Sequence, residues 1–462
     1  MKVLKFGGTS VGTTASLLNV KKIVENINEP AVIVVSALGG LTDRLIATAR
    51  MAAEGDSAYA TEMDAIAERH HLIIADVVCH DRQPECRAAV DELLCELRRL
   101  YDGVSLIADL PARTLDLIVS FGERMSSIIV SAMLDKASHH DSTEYVKTEK
   151  WFGRNIADIP LTTELIKKEF TADTLYPAVA GGFISTDRDT GEITNLGRGG
   201  SDFTAALVAA ALNASVLEIW TDVDGFMTSD PRIIPQARII PDMSFVESME
   251  LCNFGAKVIY PPTIYPVFHK NIPIRILNTF NPSAPGTLIT DHSADPAKAN
   301  NNVTGLSTLR QTCLVTMRGR AARNIASINS RAFNALARKG ISVFLVSPME
   351  HSQTFMFAMR LADRDQALRI LLEEFAPEIA SQEIEAVECT ENLAILAIVG
   401  DNILSAGGVS ARVYNTFMRN NIPVAASSEG ASKTTVTFVI NEEDADNALR
   451  LAHSLFFQPE EI

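Results

Sequence analysis

The sequence predicts an α/β protein in which a domain with a largely parallel sheet is followed by a smaller, duplicated unit. Three observations lead to this prediction. The chain opens with a strand, a glycine-rich turn, a helix and a second strand, and strand-like runs return later with a helical stretch between two of them. An internal repeat then follows a polar linker. The 462 residues are enough for two to four domains.

The opening segment has the pattern of a βαβ unit. Residues 3–6 (VLKF) are predicted to form the first strand, and the buried run Ala31–Ser36 the second. Between them, apolar residues recur at helical spacing. These residues are Leu17, Val20, Ile23, Val24 and Ile27.

The rest of the first domain continues in the same style. Residues 60–135 are predicted to be mostly helical, and Ala205–Leu212 is a further helical run. The domain is predicted to end near residue 295, where DHSADPAKANNN is typical of a linker. The predicted later strands are Pro177–Ser185, Leu217–Thr221 and Pro273–Leu277.

The remainder of the chain contains a repeat. Arg331–Val343 (RAFNALARKGISV) and Arg412–Val424 (RVYNTFMRNNIPV) share five identical positions at a constant offset of 81 residues, from 331 to 412. Each copy lies between apolar, strand-like runs, which predicts two copies of a β-α-β-β-α-β unit. The alternative is one irregular helical domain with chance similarity. The flanking runs are Cys313–Met317, Phe355–Met359, Ala394–Val399 and Thr435–Ile440.

Composition narrows the possible functions. The net charge of −16 argues against a nucleic-acid or anionic-membrane partner. The apolar runs are too short to span a bilayer, and glycines interrupt the N-terminal segment before it could act as a secretion signal. The six cysteines lack CxxC spacing, so we expect free thiols and no metal site. A cytoplasmic protein is therefore expected.

The turn at Gly7–Ser10 is the first candidate site. A strand that enters a helix through GGTS presents backbone N–H groups to an anion, and Lys5 can point at a bound phosphate. The lysine precedes the glycines, so this is not a G-x-x-x-x-G-K-[ST] loop, and G-x-G-x-x-G is also missing. The alternative is a tight turn beside a surface lysine.

Three later segments have a similar character. Asn195–Asp202 (NLGRGGSD) adds Arg198, whose guanidinium suits a carboxylate or a phosphate, although Ser201 and Asp202 could simply cap a helix. Trp220–Arg232 (WTDVDGFMTSDPR) and Asn253–Pro262 (NFGAKVIYPP) follow. Each alone is more typical of a loop. Together they place cations near glycine turns at predicted strand ends, where open α/β sheets bind ligands.

These segments, in this order and spacing, resemble the signature segments of the aspartate kinases. The matching motifs are KFGGTS, GRGGSD, WTDVDG and FGAK, and the repeat is similar to the paired ACT domains of that family. The resemblance covers essentially the whole chain and is strongest to the kinase half of bifunctional aspartokinase–homoserine dehydrogenases. It implies an amino-acid kinase fold (three layers, αβα) over residues 1–295, followed by ferredoxin-like ACT domains over 296–385 and 386–462.

The resemblance also implies roles for individual residues. Lys5, with the backbone of Gly7–Ser10, would neutralise the transferring phosphate, and Lys257 would assist on the ATP side. Asp202 would orient both lysines. Aspartate would be held by Thr42, Glu123, Arg198 and Ser201. ATP would be held by Gly7, Gly8, Thr9, Ser10, Thr221, Asp222, Phe226 and Arg232. The local sequence alone would indicate other roles. Glu123 beside Arg124 is typical of a solvated pair on a helix, and Thr42 is typical of a helix N-cap.

The implied reaction is transfer of a phosphoryl group from Mg-ATP to the β-carboxylate of L-aspartate, the first step of lysine, threonine and methionine biosynthesis. A carboxylate with a pKa of about 3.9 is already a nucleophile, so no general base is assigned. No protein cage for Mg²⁺ is expected. Two alternatives remain: a kinase for glutamate or N-acetylglutamate, and a non-catalytic amino-acid sensor that keeps the fold.

The chain departs from the family pattern in several places. Phe226-Met227 stands where an aromatic often lies near the nucleotide, and Tyr260 replaces a usual histidine. In the repeats, Pro348 and Glu429 stand where threonine-sensitive relatives often have a glutamine. The second repeat keeps Gly408, the glycine that such relatives usually have in the loop before the first helix. We therefore expect weak or no inhibition by threonine, with lysine or no effector as the alternative. Because ACT units pair through exposed strands, at least a homodimer is expected.

Overall fold

The computed structural model describes residues 1–151, 154–291, 302–319, 325–349, 354–401, 403, 408–429 and 433–458. The chain forms two compact units. The first contains Met1–Phe226, Pro241–Phe245 and Val258–Ala294, and the second contains Met227–Ile240, Val246–Lys257 and Asp295–Ile462. Two segments that precede residue 295 thus pack with the repeat region. The three-domain division at 295 and 385 remains a prediction, because these units follow packing rather than chain order.

The first unit is an α/β structure with a main sheet and a smaller second sheet. Its strands are β1 (Lys2–Phe6), β2 (Ala31–Val35), β3 (Ser138–His140), β4 (Lys147–Trp151), β5 (Arg154–Ala157), β6 (Ala178–Gly181), β7 (Ile184–Asp187), β8 (Ile193–Asn195), β9 (Val216–Thr221), β10 (Asp242–Ser244), β11 (Ile274–Asn278) and β12 (Thr287–Thr290). Its helices are α1 (Thr14–Glu25), α2 (Leu41–Ala53), α3 (Ala58–Val77), α4 (Gln83–Ile107), α5 (Ala112–Met133), α6 (Ser142–Tyr145), α7 (Ile159–Glu169), α8 (Gly200–Leu212) and α10 (Ile264–Phe268). The predicted βαβ opening and the helical stretch over 60–135 are confirmed.

The main sheet has the order β10-β12-β11-β9-β1-β2-β6-β3. Strand β1 lies between β2 and β9 and is parallel to both, with Lys5 opposite Val34 and Ile219. Only β12, antiparallel to β11, departs from parallel pairing among the described strand pairs of this sheet. The carboxyl ends of three neighbouring strands therefore meet at one edge of the sheet, which is where a ligand site is expected.

Helices cover this sheet, so its central strands are buried. All five residues of β2 (AVIVV) are buried, as expected for a parallel strand with both faces covered. Helix α5 packs on β2 and β6, and α8 packs on β1, β2 and β9. Helix α8 is apolar on nearly every side, and its run Ala205–Ala211 is buried throughout. Both helices begin or pass beside the edge where the strand ends meet.

The run Pro177–Ser185, predicted as one strand, is two. Strand β6 belongs to the main sheet, whereas β7 belongs to a second sheet of order β5-β4-β7-β8. The break falls at Gly182 and Phe183, and Phe183 has a φ of 67°. A Cβ on Gly182 would lie 2.6 Å from Cα of Ser201, so the chain passes close to the start of α8 here. Only glycine allows that approach, and the turn ends the extended run.

The second unit is built on one antiparallel sheet of order β14-β15-β13-β16-β18-β17. Its strands are β13 (Gly305–Gly319), β14 (Val343–Met349), β15 (Thr354–Arg360), β16 (Ile384–Val399), β17 (Val424–Glu429) and β18 (Thr435–Asn441). Its helices are α9 (Phe245–Asn253, with Phe245 in the first unit), α11 (Ile325–Arg338), α12 (Arg364–Glu374), α13 (Ala376–Ala380), α14 (Val409–Arg419) and α15 (Ala445–Phe457).

The duplication is confirmed, but the two copies are not separate in sequence, because they share the long strands β13 and β16. In the first copy, the second half of β13 pairs with β15 and with the first half of β16, which completes β-α-β-β-α-β. In the second copy, the later half of β16 pairs with β18 on one side and with Gly305–Leu309 of β13 on the other. The fourth strand of the second copy therefore comes from the residues that precede the first copy.

The offset seen in the sequence also relates contacts in the structure. Arg331 lies over the ring of Phe375 at 4.6 Å, and Arg412 lies over Phe456 at 5.0 Å. Arg331 Nη2 donates to the carbonyl of residue 374 (2.7 Å), and Arg412 Nη2 donates to that of residue 455 (2.9 Å). Each pair of equivalents is again 81 residues apart. The identical arginines thus attach the first helix of each copy to the end of its second helix.

Candidate active site

The turn after β1 leaves two backbone donors available. Gly7 N donates to the carbonyl of Trp220 (3.1 Å), and Ser10 N donates to the carbonyl of Gly7 (2.9 Å). The N–H groups of Gly8 and Thr9 have no hydrogen-bond partner within the described part of the chain. Gly8 is partly exposed and Thr9 is exposed. Gly8 and Thr9 precede Thr13, the N-cap of α1, by at least four residues, so their N–H groups belong to the turn and not to the helix N-terminus. They are available to an anion, and phosphate binding at this turn stays a prediction.

Ser10 itself is fully buried. Its hydroxyl lies 2.7 Å from that of Thr279 and 3.3 Å from the carbonyl of Trp220. The side chain thus ties the turn to β9 and to the residue after β11. A phosphate contact for Ser10 stays a prediction, and this geometry does not support one through the hydroxyl.

A second glycine loop lies against this turn. A Cβ on Gly39 would be 3.0 Å from the carbonyl oxygen of Gly8, and a Cβ on Gly12 would be 3.3 Å from N of Gly39. Arg69 of α3 donates to the carbonyls of both Gly12 and Gly39 at 2.9 Å. Burial lowers the pKa of this arginine. The guanidinium therefore fastens the segment that follows the Gly7–Ser10 turn to the loop that leads into α2.

A cleft of about 250 Å³ opens at the carboxyl edge of β1 and β2. Its walls come from β1, α2, α5 and the start of α8. Side chains predicted to hold aspartate and to handle the phosphate are thus brought together in one place. The lining residues are Lys5, Ser36, Thr42, Glu123, Phe183, Gly197, Arg198, Gly199, Gly200, Ser201 and Asp202.

Lys5 and Asp202 form an ion pair in this cleft. Lys5 Nζ lies 2.6 Å from Asp202 Oδ1, and both residues are only 9% exposed. Asp202 Oδ1 makes no hydrogen bond in the part of the chain that the structure describes, so the contact is one of charge. A Cβ on Gly7 would lie 3.5 Å from Lys5 Nζ, which places the ammonium beside the Gly7–Ser10 turn. The predicted contact between Asp202 and this lysine is present.

Glu123 is buried, with 4% exposure, in the middle of α5. Burial raises its pKa to about 8, although hydrogen bonds from backbone N–H groups and the charge of Lys5 act in the opposite direction. Its Oε2 has no hydrogen-bond partner among the described residues. The solvated pair with Arg124 that the local sequence suggested is therefore not formed. A buried, unsatisfied carboxyl in a cleft is suited to a cationic ligand group.

The remaining cleft residues approach from the loops. Thr42 is the second residue of α2, whose N-cap is Gly40, so the interpretation of Thr42 as an N-cap is wrong. Ser201 lies in the first turn of α8 after the N-cap Gly199, and it is buried. Arg198 is exposed and has no partner within the described residues. A guanidinium without a partner at the mouth of a cleft is available to a carboxylate.

The residues predicted to hold ATP are less concentrated. Thr221 and Asp222 end β9, and the Thr221 hydroxyl donates to Asp222 at 3.2 Å. Phe226 is 1% exposed, so its predicted contact with the nucleotide stays a prediction that this conformation does not support. Arg232 makes a two-point contact with Asp230 (2.9 and 2.7 Å). Arg232 and the exposed Lys257 both belong to the second unit, and their roles stay predictions.

The predicted effector positions lie in the second unit. Pro348 is part of the edge strand β14, opposite Phe355. Gly408 is the N-cap of α14 and has a φ of 94°, which explains a glycine there. Glu429 accepts a hydrogen bond from the hydroxyl of Ser410 at 2.8 Å. Their role in effector binding stays a prediction.

Two further findings concern the residues that the structure describes. Among the described residues, no cluster of three or more histidine, cysteine, aspartate or glutamate side chains could bind a metal ion. Across the same part of the chain, every helix is too short or too polar to cross a membrane.

Several residues that shape the site give no signal in the local sequence. Ser36 and Phe183 line the cleft. Arg69 fastens two loops, and Asp116 of α5 accepts a hydrogen bond from Asn195 at 2.6 Å, just ahead of the loop that carries Arg198. These residues lie in ordinary helical or strand patterns. Only their distant partners reveal them, so the sequence offered no local signal.

Known proteins resemble this chain over most of its length. The amino acid kinase family matches residues 1–278, and an ACT domain matches residues 396–456. The structure of Escherichia coli aspartokinase III in complex with aspartate and ADP (R-state) superposes with a TM-score of 0.84 at 30% identity, covering 99% of this chain and 100% of that one.

Curated relatives are also named as aspartokinases. Aspartokinase 2, chloroplastic, of Arabidopsis thaliana is 30% identical over 99% of this chain and 84% of its own length. The bifunctional aspartokinase/homoserine dehydrogenase of Haemophilus influenzae is 30% identical over 100% of this chain but 57% of its own length. The chain thus spans about half the length of the bifunctional relatives that it matches. With matches of this extent, the chain belongs to the amino acid kinase family and, within it, to the aspartokinases.

Proposed function

We propose that this chain transfers the γ-phosphoryl group of Mg-ATP to the β-carboxylate of L-aspartate and produces 4-phospho-L-aspartate. The observation that carries the proposal is the cleft itself. One edge of the sheet combines two N–H donors that have no partner among the described residues, the Lys5–Asp202 ion pair and the buried carboxyl of Glu123. The aspartokinase that superposes on the chain was solved with aspartate and ADP.

The two ends of aspartate are assigned by charge. Glu123 faces the α-ammonium group, and Arg198 holds the α-carboxylate with its two-pronged guanidinium. Thr42 and Ser201 supply hydroxyl contacts. The β-carboxylate is then directed toward Lys5 and the turn at Gly8 and Thr9.

The chemistry needs alignment more than proton transfer. The β-carboxylate is ionised at neutral pH and attacks the γ-phosphorus, while the bond to the bridging oxygen of ADP breaks. Lys5 stabilises the charge that spreads over the phosphoryl oxygens, and Asp202 keeps the ammonium group in position. The N–H groups of Gly8 and Thr9 donate to phosphate oxygens.

Glu123 makes aspartate binding dependent on pH. With a pKa of about 8, the empty site holds a neutral carboxyl at pH 7. An ammonium group at hydrogen-bond distance favours the carboxylate, so binding of aspartate releases a proton from Glu123. The affinity for aspartate should therefore rise as the pH increases toward 8.

ATP binds, in this proposal, through Thr221, Asp222, Arg232 and Lys257, with Gly7 and Ser10 shaping the turn. Lys257 is assigned to the ATP side on the family resemblance alone. The Mg²⁺ ion enters with the nucleotide as part of the substrate, since phosphate oxygens and water supply most of its ligands.

A coupled assay of ATP consumption tests the assignment. Aspartate is expected to support turnover, while glutamate and N-acetylglutamate are not. If glutamate or N-acetylglutamate is the better substrate, the chain is another kinase of the same fold. Binding of aspartate without any turnover would instead identify a non-catalytic sensor.

We also propose that the second unit assembles the protein as a homodimer or a larger homo-oligomer. Strands β14 and β17 end its sheet, and edge strands of this kind pair with a second copy. Pro348, Gly408 and Glu429 mark an effector region that does not suit threonine, because proline lacks an N–H and an ionised glutamate cannot donate.

Titration of threonine and of lysine against the aspartate-dependent rate tests this regulation. Weak or no inhibition by threonine is expected. Inhibition by threonine below about 1 mM, which corresponds to about −4 kcal/mol of binding free energy, would contradict it.

A further inference from the structure

We infer that Asp116 and Asn195 are positioning residues that set the carboxylate-binding end of the cleft by holding the loop that carries Arg198. This inference rests on the proposed function, because it assigns the loop to the α-carboxylate of the substrate. Neither residue touches the substrate in this proposal. Both act through the backbone of Gly197.

The contacts form a short chain from helix to loop. Asn195 Nδ2 donates to Asp116 Oδ1 at 2.6 Å, and Asn195 Oδ1 accepts from Gly197 N at 3.1 Å. Asp116 lies in α5, and Asn195 is the last residue of β8. A helix carboxylate is thus connected, through one amide, to the residue directly before Arg198.

The loop needs such a connection because its own backbone is permissive. Gly197 and Gly199 on either side of Arg198 have φ values of 73° and 68°. Glycine adopts this region as readily as others, so the loop could take several shapes. Arg198 has no partner among the described residues, so its position follows from the backbone that carries it.

The other side of the loop is held by packing. A Cβ on Gly199 would lie 2.2 Å from Cβ of Tyr260, so this tyrosine rests directly on the loop backbone. The residue that replaces the usual family histidine therefore contributes shape to the loop. Tyr260 restrains one side, and Asn195 fixes the other.

The helix that carries Asp116 also carries Glu123. The two residues are seven positions apart, which is about two turns of an α-helix, so they lie on the same face. Helix α5 thus places the carboxyl that receives the α-ammonium and anchors the loop that receives the α-carboxylate. One rigid element therefore sets the distance between the two subsites. That distance corresponds to the separation of the α-ammonium and the α-carboxylate, which is the same in every α-amino acid.

Kinetics with substitutions of the two residues test the inference. Asp116→Ala and Asn195→Ala should each raise the KM for aspartate about tenfold, since an unpaired polar group costs roughly 1–3 kcal/mol. The KM for ATP and kcat should change by less than about twofold, because the contacts with the phosphates are untouched. Asp116→Asn keeps an acceptor oxygen and should restore the aspartate KM.

Glu192→Ala is the matched control. It removes an exposed ion pair with Arg113 (2.9 Å) that joins the same helix to the residue before β8. Its aspartate KM should equal that of the wild type. The double variant of Asp116 and Asn195 should be no worse than either single variant, because both remove the same connection.

Amide hydrogen exchange at residues 196–200 gives a readout without any substrate. Asp116→Ala should increase exchange there, and Glu192→Ala should not. Unchanged exchange in Asp116→Ala would overturn the inference. If the wild type phosphorylates aspartate, an unchanged KM for aspartate in Asp116→Ala would also overturn it. If the wild type does not act on aspartate, the proposed function fails, and exchange alone decides whether the loop is held.

Discussion

The two compact units use charged residues in opposite ways. In the first unit, Lys5, Asp202 and Glu123 are 9%, 9% and 4% exposed, and all three line one cleft. In the second unit, Arg331 and Arg412 lie at the surface of their helices and stack on aromatic rings. The first set is removed from water, whereas the second set keeps contact with it.

This difference follows from what burial costs. A buried charge loses its hydration, and a partial set of partners does not replace it. Glu123 shows the consequence, since its carboxyl remains neutral at pH 7. A fold keeps such groups where a ligand completes their interactions. Arginines that stack at a surface can stabilise helices at little cost. The comparison therefore predicts that charges in the first unit control activity and those in the second control stability.

The largest effect is expected for Lys5→Ala. Loss of the ammonium group that stabilises the phosphoryl oxygens should lower kcat by about 10²–10³-fold. The fold should be retained, which circular dichroism and the unfolding midpoint can verify. Near wild-type turnover in the purified variant would remove Lys5 from the chemistry and weaken the comparison.

Arg198→Lys should act on substrate capture. A lysine keeps the charge but loses the two-pronged geometry, so the KM for aspartate should rise by about tenfold while the KM for ATP changes little. Steady-state kinetics with each substrate varied in turn measures this. A larger change in the KM for ATP would assign Arg198 to the nucleotide side of the cleft.

Glu123→Gln should remove a pH dependence of stability. The pKa of Glu123 is raised from its ordinary value of 4.5 to about 8 in the folded protein, so its stabilising contribution is complete below pH 4.5. That contribution is lost as the pH rises through 8. The glutamine variant should therefore become more stable, relative to the wild type, between pH 5 and pH 9 in ligand-free protein. Unfolding free energies across this range check the sign, and parallel curves would disprove it.

The smallest effects are expected in the second unit. Arg331→Ala should lower the unfolding free energy by about 1 kcal/mol, and Arg412→Ala by somewhat less. Arg331 also pairs with the carboxylates of Glu374 and Glu378, whereas Arg412 has a carbonyl and a ring as its described partners. Denaturant titration of both variants measures the difference. A loss of kcat in either, without loss of stability, would break the division between the units.

Much of the fold was predictable from local patterns. Periodic apolar residues identified β1, α1, β2 and the long helices of residues 60–135, because helix and strand periods follow from backbone geometry. The repeat at an offset of 81 identified the duplication. Of the predicted glycine turns, the one at Gly197–Gly200 lines the cleft.

Tertiary structure decided what depends on distant partners. The sequence identified candidate site residues, namely Lys5, Glu123, Arg198 and Asp202. They line one cleft because β1, β2 and β9 lie side by side and parallel in the sheet. A run predicted as one strand became two where Gly182 passes α8, and the second repeat took its fourth strand from Gly305–Leu309. Local sequence specifies the conformation of each segment. Which segments meet, and which charges lose their water as a result, is settled by packing across the whole chain.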